Sequence, residues 1–225
     1  MSPPLAGLVV VALEQAIAAP FATRQLADLG ATVIKVERPE GDFARHYDAH
    51  VHGLSSHFVW ANRGKQSVIL DLKNRVDRST FDGLVAGADV FLHNVAPGAA
   101  ARLDIDVEML ASDNVGLIAC EISGYGVGGP RSDDKAYDLL VQAEAGAISV
   151  TGGEEMSKVG FSVADISAGM YALSGILAAL VELALLQQTE LHLISLDMVK
   201  CFDRVPHEIA DAVCTRLGLA PPLLR

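Results

Sequence analysis

The chain is expected to form an α/β fold, a Rossmann-like doubly wound and mostly parallel sheet, because of three features of its sequence. Short β-branched runs alternate with helix-like segments over residues 8–123. The first run, residues 8–13, is continuously apolar, which is typical of a strand covered on both faces. A strand, a helix and a second strand then fit within about thirty residues, the length of a right-handed parallel crossover.

The order of the elements follows from local start and stop signals. Pro20 predicts the beginning of the first helix, because proline is tolerated in a first turn, and Gly30 predicts its end. The second strand is predicted at 32–37. The alternation continues as a strand at 67–71, a helix at 78–86, a strand at 88–94, a short helix at 107–111 and a strand at 116–123. In such sheets, ligands lie beyond the carboxyl ends of the strands.

Composition disfavours several classes of protein. With 225 residues, 51% of them hydrophobic, the chain can bury the core of one domain with a fragment attached. Its net charge of -11 argues against a general binder of nucleic acids or anionic membranes, so any phosphate site must be local. The 3 cysteines are widely spaced, which suggests neither a disulfide framework nor a zinc site and fits a reducing compartment. The first residues lack an export signal, so we expect a cytoplasmic protein, with the mitochondrion and the peroxisome as open alternatives.

Two segments raise the question of a membrane span or a metal site. Residues 168–186 are apolar, but they contain Glu182 and barely reach the spanning length of about 20 residues, so we expect a buried core helix. The histidines at positions 46, 50, 52 and 57 lie in a loop without matching carboxylates, whereas zinc usually needs three or four converging ligands. We therefore expect neither a membrane span nor a bound metal.

Common nucleotide-binding and hydrolase motifs are missing from the sequence. No G-x-G-x-x-G follows the first strand, which disfavours a dinucleotide-dependent dehydrogenase. The sequence has no G-x-S-x-G elbow and no Walker loop. A glycine-rich stretch at 124–130 has the spacing of neither phosphate loop, and we interpret it as a flexible turn.

The most specific feature of the chain is a series of segments in a fixed order. They read V-I-K-V-E-R-P at 33–39, N-R-G-K-x-S-x-x-L-D at 62–71, A-D-V-x-x-x-N-x-x-P-G at 88–98, I-S-G-Y-G at 122–126, Y-D-x-x-x-Q-A at 137–143 and V-G-x-x-x-x-D-x-x-x-G at 159–169. In this order the segments resemble the class III CoA-transferases, the group of formyl-CoA transferase, carnitine CoA-transferase and alpha-methylacyl-CoA racemase. The resemblance covers residues 4–186.

The resemblance implies that Asp165 is a catalytic nucleophile. Its carboxylate would attack an acyl-CoA thioester to give a mixed anhydride, and the CoA thiolate would then form an enzyme-CoA thioester that passes to an acceptor carboxylate. From the residues alone, two interpretations of Asp165 stay open. It precedes a predicted helix at 166–186, so it is either an N-cap or a reactive carboxylate that the helix amino end keeps ionised.

The resemblance also implies a binding site for coenzyme A or acyl-CoA as a substrate, with no permanently bound cofactor. Guanidinium and ammonium groups suit the phosphates of this ligand, and the run 31–39 and the loop 62–65 offer further cations. In isolation, each of Arg38, Lys73 and Arg102 is better explained as a solvated surface charge, and only their clustering at strand ends favours a binding role. The positions that match family contacts are Ile17, Ala18, Arg38, Leu70, Asp71, Leu72, Lys73, Asn94, Val95, Ala96, Arg102, Lys135, Ala136 and Tyr137.

Three positions distinguish this chain from particular members or motifs of the family. The racemase branch has a histidine where this chain has Tyr137, and a tyrosine is poorly suited to proton abstraction at neutral pH, which favours transfer over racemisation. Ile17 stands where formyl-CoA transferase has a glutamine. Asp104 stands where the family motif R-L-G-L has its glycine.

The resemblance stops after residue 186, so we predict a CoA-transferase large domain at 1–186 and an unrelated tail at 187–225. The tail resembles the first palm motif of retroelement reverse transcriptases, L-D-x-x-K-A-F-D-x-V-P-H, with Asp197 at the metal-ligand position. A polymerase needs a second aspartate motif for its metal ions, so we expect an inactive fused fragment and no nucleic-acid partner.

The expected function is that of an acyl-CoA:carboxylate CoA-transferase that lacks the small domain of the family. The partners implied are an acyl-CoA, a carboxylic acid and, in an intact family member, a second copy in an interlocked homodimer. Two alternatives stay open. One is a CoA-binding remnant without turnover, and the other is a relative of the acyl-CoA racemases.

Overall fold

The computed structural model describes residues 2–186, which contain a single sheet with helices on both sides. The predicted domain boundary at residue 187 and the whole predicted tail lie outside the described residues. The strands are β1 (Val9–Leu13), β2 (Thr32–Glu37), β3 (Gln66–Ile69), β4 (Val90–His93) and β5 (Ile118–Glu121). The α-helices are α1 (Ala18–Asp28), α2 (Ser56–Asn62), α3 (Arg75–Ala86), α4 (Ala99–Arg102), α5 (Val107–Asp113), α6 (Asp138–Glu144), α7 (Ala147–Val150) and α8 (Val163–Leu186), and Phe43–His46 form a 3-10 helix.

The strands lie in the order β3-β2-β1-β4-β5, and every neighbouring pair is parallel. Val10 at the centre of β1 pairs with Val33 on one side and Val90 on the other. Because the chain moves outward from β1 first in one direction and then in the other, the order reverses between β1 and β4. The predicted Rossmann-like, doubly wound sheet is confirmed.

Successive residues of the central strands serve two separate cores. Val10 packs in a cluster with Leu26 of α1 and Ile176 of α8, whereas Val11 packs in a second cluster with Phe81 of α3. Side chains alternate across a strand, so neighbours in sequence face opposite sides of the sheet. Both faces of the sheet are thus covered, which explains why the central strand β1 is continuously apolar.

The ends of the early helices differ slightly from the predicted ends. α1 begins at Ala18, so that Pro20 lies within the first turn, where it loses no helical hydrogen bond. Gly30 has a φ of 101°, the left-handed stop predicted for it. α3 begins before the predicted position because the Asn74 side chain accepts a hydrogen bond from Val76 N at 2.8 Å.

The turn after α4 forms although the glycine of the family motif is missing. Asp104 adopts a φ of 50°, in the left-handed region. Aspartate and asparagine enter this region more readily than other residues with a Cβ. The substitution therefore preserves the turn at the expense of some backbone strain.

The long apolar helix α8 is buried along one stripe only. Its buried residues are Gly169, Leu173 and Ile176, whereas Tyr171 is 81% exposed. By length and composition α8 could cross a membrane, although only 17% of its most apolar window is buried. The prediction of a buried core helix was therefore wrong for the rest of its surface, since among the described residues only α1, α6 and β5 pack closely on it.

Candidate functional site

The tips of β1 and β4 are joined at the point where the strand order reverses. Gln15 N donates to Asn94 Oδ1 at 2.9 Å, and Asn94 Nδ2 donates to Gln15 O at 2.8 Å. Both residues line a hollow beside the strand tips. A crevice at such a reversal is the usual ligand site of an open α/β sheet.

The turn that follows Gln15 is held in an unusual conformation. Ala16 has a φ of 61°, which is sparsely populated for a residue with a Cβ. Its N–H donates to Asp42 Oδ1 at 3.1 Å, and the other carboxylate oxygen of Asp42 accepts from Lys35 Nζ at 2.8 Å. Asp42, which is 2% exposed, thus fixes the path of the chain between β1 and α1.

A group of buried charged side chains holds this turn in place. Lys65 Nζ donates to Glu14 Oε1 at 2.6 Å, and Lys35 Nζ lies 3.6 Å from the same oxygen. Together with Asp42, the group holds two cations and two carboxylates, which satisfies the need of buried charges for partners. Burial lowers the pKa of Lys65 to about 8, an effect that the charge of Glu14 opposes.

These contacts correct the expectation that Lys35 and the loop 62–65 offer cations to a phosphorylated ligand. The Lys35 and Lys65 side chains are 1% and 2% exposed and are turned toward carboxylates. Arg63 is exposed but pairs with Asp28 at 2.7 Å, away from the strand tips. These cations are structural. The partners of Lys65 and Arg63 lie 51 and 35 residues away, so no local pattern indicated them.

A smaller hollow lies at the tips of β1, β2 and β3. Its volume is about 280 Å³. Arg38 and Lys73 are the cations in its lining, and both are exposed. The predicted contact residues that line it are Arg38, Leu70, Asp71, Leu72, Lys73, Val95 and Ala96.

A larger hollow, of about 630 Å³, lies beyond the tips of β4 and β5 and reaches the beginning of α8. The predicted residues that line it are Ala18, Arg38, Asn94, Val95, Ala96, Lys135, Ala136, Tyr137 and Asp165. The two hollows share Gln15, Arg38, Val95 and Ala96 in their linings, so they adjoin. Together they form one extended surface along the carboxyl edge of the sheet.

Two predicted contact residues are not brought into this surface. Ile17 is 2% exposed and lines neither hollow. Arg102 is exposed at the end of α4, also outside both linings.

Asp165 lies in the first turn of α8, not at its cap, because the helix begins earlier than predicted, at Val163. Within residues 2–186 no group donates a hydrogen bond to the Asp165 carboxylate and no cation pairs with it. Burial raises its pKa to about 6, and the nearby negative charge of Asp138 acts in the same direction. The helix amino end was expected to favour the ionised form, but removal from water outweighs it.

A sequence profile of CoA-transferase family III matches residues 5–188. This chain belongs to CoA-transferase family III. Acetyl-CoA:oxalate CoA-transferase of Acetobacter aceti is 40% identical over 181 residues, covering 79% of this chain and 46% of the relative. Succinate–glutarate CoA-transferase of Agrobacterium fabrum is 42% identical over 190 residues, covering 80% of this chain and 47% of the relative. The family III chain thus spans about half the length of the curated relatives it matches.

A solved structure gives the same assignment. The crystal structure of a CAIB/BAIF family protein from Brucella suis superposes on this chain with a TM-score of 0.77 at 36% identity. The match covers 84% of this chain and 52% of that one. The predicted family resemblance is confirmed at the level of both sequence and fold.

The glycine-rich stretch of this family III chain has a packing role that its spacing did not show. A Cβ on Gly124 would lie 2.2 Å from Ala136 Cβ, so only glycine fits. Gly124, Gly126 and Gly128 line the larger hollow. The stretch is therefore not only a turn but a wall of this hollow.

Several residues near Asp165 in this family III chain were missed by sequence reasoning. Gln15 follows β1 closely, and its position beyond a strand tip could have indicated it. Phe43 lines the larger hollow from a short 3-10 helix that carries no periodic signal. Burial raises the pKa of Tyr47 to about 12, and the charges of Asp42 and Asp165 add to this, so its hydroxyl stays a hydrogen-bond donor.

The histidine-rich loop of the family III chain gathers no set of metal ligands. Within residues 2–186 no three His, Cys, Asp or Glu side chains converge in a way that could hold an ion. His57 Nδ1 instead lies 3.1 Å from Asp48 Oδ2. Asp48 also accepts from Ser56 N at 2.8 Å, so this carboxylate orders the beginning of α2.

Proposed function

We propose that this chain carries the CoA-binding and nucleophilic part of an acyl-CoA:carboxylate CoA-transferase. The observation that carries the proposal is the Asp165 carboxylate, which lines the larger hollow and, among residues 2–186, has neither a hydrogen-bond donor nor a cation as partner. Carboxylates in proteins are normally solvated or paired, so a partly buried one without partners is a candidate for chemistry. Its pKa of about 6 leaves it mostly ionised at neutral pH and more basic than a solvated carboxylate.

The adjoining hollows suit a long ligand with a charged end. The nucleotide of CoA would occupy the smaller hollow, where Arg38 and Lys73 can pair with its phosphates. Its pantetheine arm would cross the shared border at Val95 and Ala96. The thioester would then reach Asp165 in the larger hollow.

The reaction would proceed by covalent catalysis. A carboxylate oxygen of Asp165 attacks the thioester carbonyl and displaces the CoA thiolate. The product on the enzyme is a mixed anhydride of Asp165 and the donor acid. The thiolate then attacks the aspartyl carbonyl, which releases the donor acid and leaves an aspartyl-CoA thioester. An acceptor carboxylate then attacks the aspartyl-CoA thioester, and the CoA thiolate departs, so that a second mixed anhydride forms between Asp165 and the acceptor acid. The thiolate attacks the acyl carbonyl of the acceptor in this anhydride. This step gives the new acyl-CoA and restores the Asp165 carboxylate.

We propose short dicarboxylic acids as the acids exchanged. The support is that similar proteins are named for oxalate, for glutarate and for mesaconate. Other relatives are named for succinyl-CoA as the donor. Succinyl-CoA is therefore a suitable probe.

A second candidate is a chain that binds CoA without turnover. It is supported by the two adjoining hollows, which could hold CoA whether or not Asp165 reacts. We also propose that an active form is a homodimer, a state supported by the exposed apolar side of α8 and testable by sedimentation equilibrium. A monomer at micromolar concentration that still turns over would contradict the homodimer.

The test is the mass of the intact chain after incubation with succinyl-CoA. We expect an increase equal to the mass of CoA less one water, located at Asp165 and absent from D165N. D113N is the matched control, because Asp113 is exposed at the end of α5 and far along the chain from the site. An adduct that persists in D165N would overturn the proposal. No adduct together with a raised melting temperature in CoA would replace it by the second candidate.

A further inference from the structure

The segment Y-D-x-x-x-Q-A at 137–143 contains two polar residues to which the proposed function gives no role. Asp138 and Gln142 both lie in α6, four residues apart, and therefore on one face of the helix. Gln142 is 1% exposed, which is unusual for an amide side chain. Buried polar groups are expected to make hydrogen bonds, so their partners are informative.

The partners belong to the segment that carries Asp165. Asp138 Oδ1 accepts from Ala164 N at 2.8 Å, and Asp138 Oδ2 accepts from Gln142 Nε2 at 2.7 Å. Gln142 Oε1 accepts from Val159 N at 2.8 Å. The three hydrogen bonds form one continuous chain, which we call the α6 bridge. It fastens both ends of the segment 159–164 to a single helix.

The α6 bridge also explains why the Asp165 carboxylate has no hydrogen-bond donor in the part of the chain that the structure describes. The first N–H groups of a helix lack partners within the helix, and a side chain near the helix start normally accepts from them. At the start of α8 this acceptor is Asp138, which comes from another helix and lies 26 residues before Ala164. The neighbouring Asp165 is thereby relieved of a capping role, and its carboxylate stays available to the larger hollow.

We propose that Asp138 and Gln142 are positioning residues that hold Asp165 in the orientation for attack on a CoA thioester. This inference rests on the proposed function. The chemistry of the α6 bridge fixes the direction of each hydrogen bond: a carboxylate accepts twice, and an amide then donates once and accepts once. Exchanging the two groups would therefore keep all three hydrogen bonds and the net charge.

The test exploits this exchange. In D138N the new NH₂ group faces the NH₂ group of Gln142, and in Q142E two carboxylates face each other. Either single variant breaks the α6 bridge, whereas D138N/Q142E restores every donor and acceptor. We expect faster amide hydrogen exchange at Val159 in both single variants, measured by NMR, and near wild-type exchange in the double variant.

The rate of Asp165 labelling by succinyl-CoA gives the functional readout. A misplacement of about 1 Å can slow a reaction about a hundredfold, so we expect at least a tenfold lower maximal rate in D138N and Q142E. The half-saturating concentration of succinyl-CoA should stay unchanged, because the smaller hollow proposed for the nucleotide contains neither Asp138 nor Gln142. The double variant should recover to within about threefold of the wild-type rate, and D113N should equal wild type. The maximal rate is measured as a first-order rate constant, which does not depend on the amount of folded chain. Simple destabilisation would therefore lower the extent of labelling and leave this rate constant unchanged.

The outcomes separate the two proposals. Labelling that is absent from the wild-type chain would overturn the proposed function and this inference with it. Normal wild-type labelling with an unchanged maximal rate in D138N would overturn the α6 bridge alone, as would a double variant no faster than the single variants. D138N keeps an acceptor for Ala164 N, so it remains a usable test if Q142E does not fold.

Discussion

At Asp165, the features proposed for catalysis work against stability. Its pKa rises from 3.8 to about 6, chiefly because burial removes water from the carboxylate. A raised pKa means that the fold binds the proton more tightly than the unfolded chain does. The resulting stabilisation is present below about pH 4 and is lost as the pH rises through 6. Above that pH, the ionised side chain weakens the fold.

Replacement of Asp165 by a neutral side chain should therefore stabilise the protein. D165N is expected to raise the free energy of unfolding by about 2 kcal/mol at pH 7.5, a value that allows for partial exposure, and by much less at pH 4.5. Urea unfolding of both chains at the two pH values measures the difference. An equal change in the free energy of unfolding at both pH values would show that the fold does not disfavour the ionised form of Asp165.

The role of a single residue could be predicted from sequence where the residue belongs to a family motif. It could not be predicted where the role depends on whether the side chain is buried. Asp165 could be selected from its segment, and the structure places it in the larger hollow. Lys65 looked like a ligand for phosphate, but it is bound to Glu14, 51 residues away. No local pattern distinguishes a lysine that faces solvent from one that faces a distant carboxylate, since both stand among polar neighbours.

Among the elements, the contact of α1 with α8 depends on one glycine. A Cβ on Gly169 would lie 2.6 Å from Ala18 O, a backbone atom that cannot move without shifting α1. G169A should therefore destabilise the fold by about 1–3 kcal/mol and slow the labelling of Asp165, one turn away. G175A is the control, because nothing lies within 4 Å of its Cβ and alanine favours a helix. Thermal unfolding should show opposite shifts, and equal shifts would contradict this packing.

The elements predicted from sequence are those with a strong apolar pattern. β2 was predicted with the bounds it has, since its residues pair on both sides and its core positions are apolar. The beginning of α8 was placed too late, because the acceptor for Ala164 N comes from Asp138 on another helix. The short α4 and α7 were missed because four residues cannot show a helical period.

At the scale of the whole molecule, the net charge of -11 repels an anionic ligand. The binding of CoA should therefore depend strongly on the few cations at the strand tips. Arg38 borders both hollows, whereas Arg63 pairs with Asp28 elsewhere. R38M should weaken the binding of CoA about tenfold, the effect of one charge-assisted hydrogen bond, and R63M should leave it unchanged. Isothermal titration calorimetry at fixed salt measures both. A loss in R63M as large as that in R38M would mean that CoA lies elsewhere.

The route of the acid's oxygen atoms tests whether Asp165 acts as the covalent carrier. In the proposed reaction, an acceptor carboxylate leaves one of its oxygens on Asp165 when the new acyl-CoA forms. Turnover of succinyl-CoA with glutarate labelled by oxygen-18 should therefore place the heavy isotope in the peptide that contains Asp165, detected by mass spectrometry. Turnover that leaves this peptide unlabelled would contradict the account.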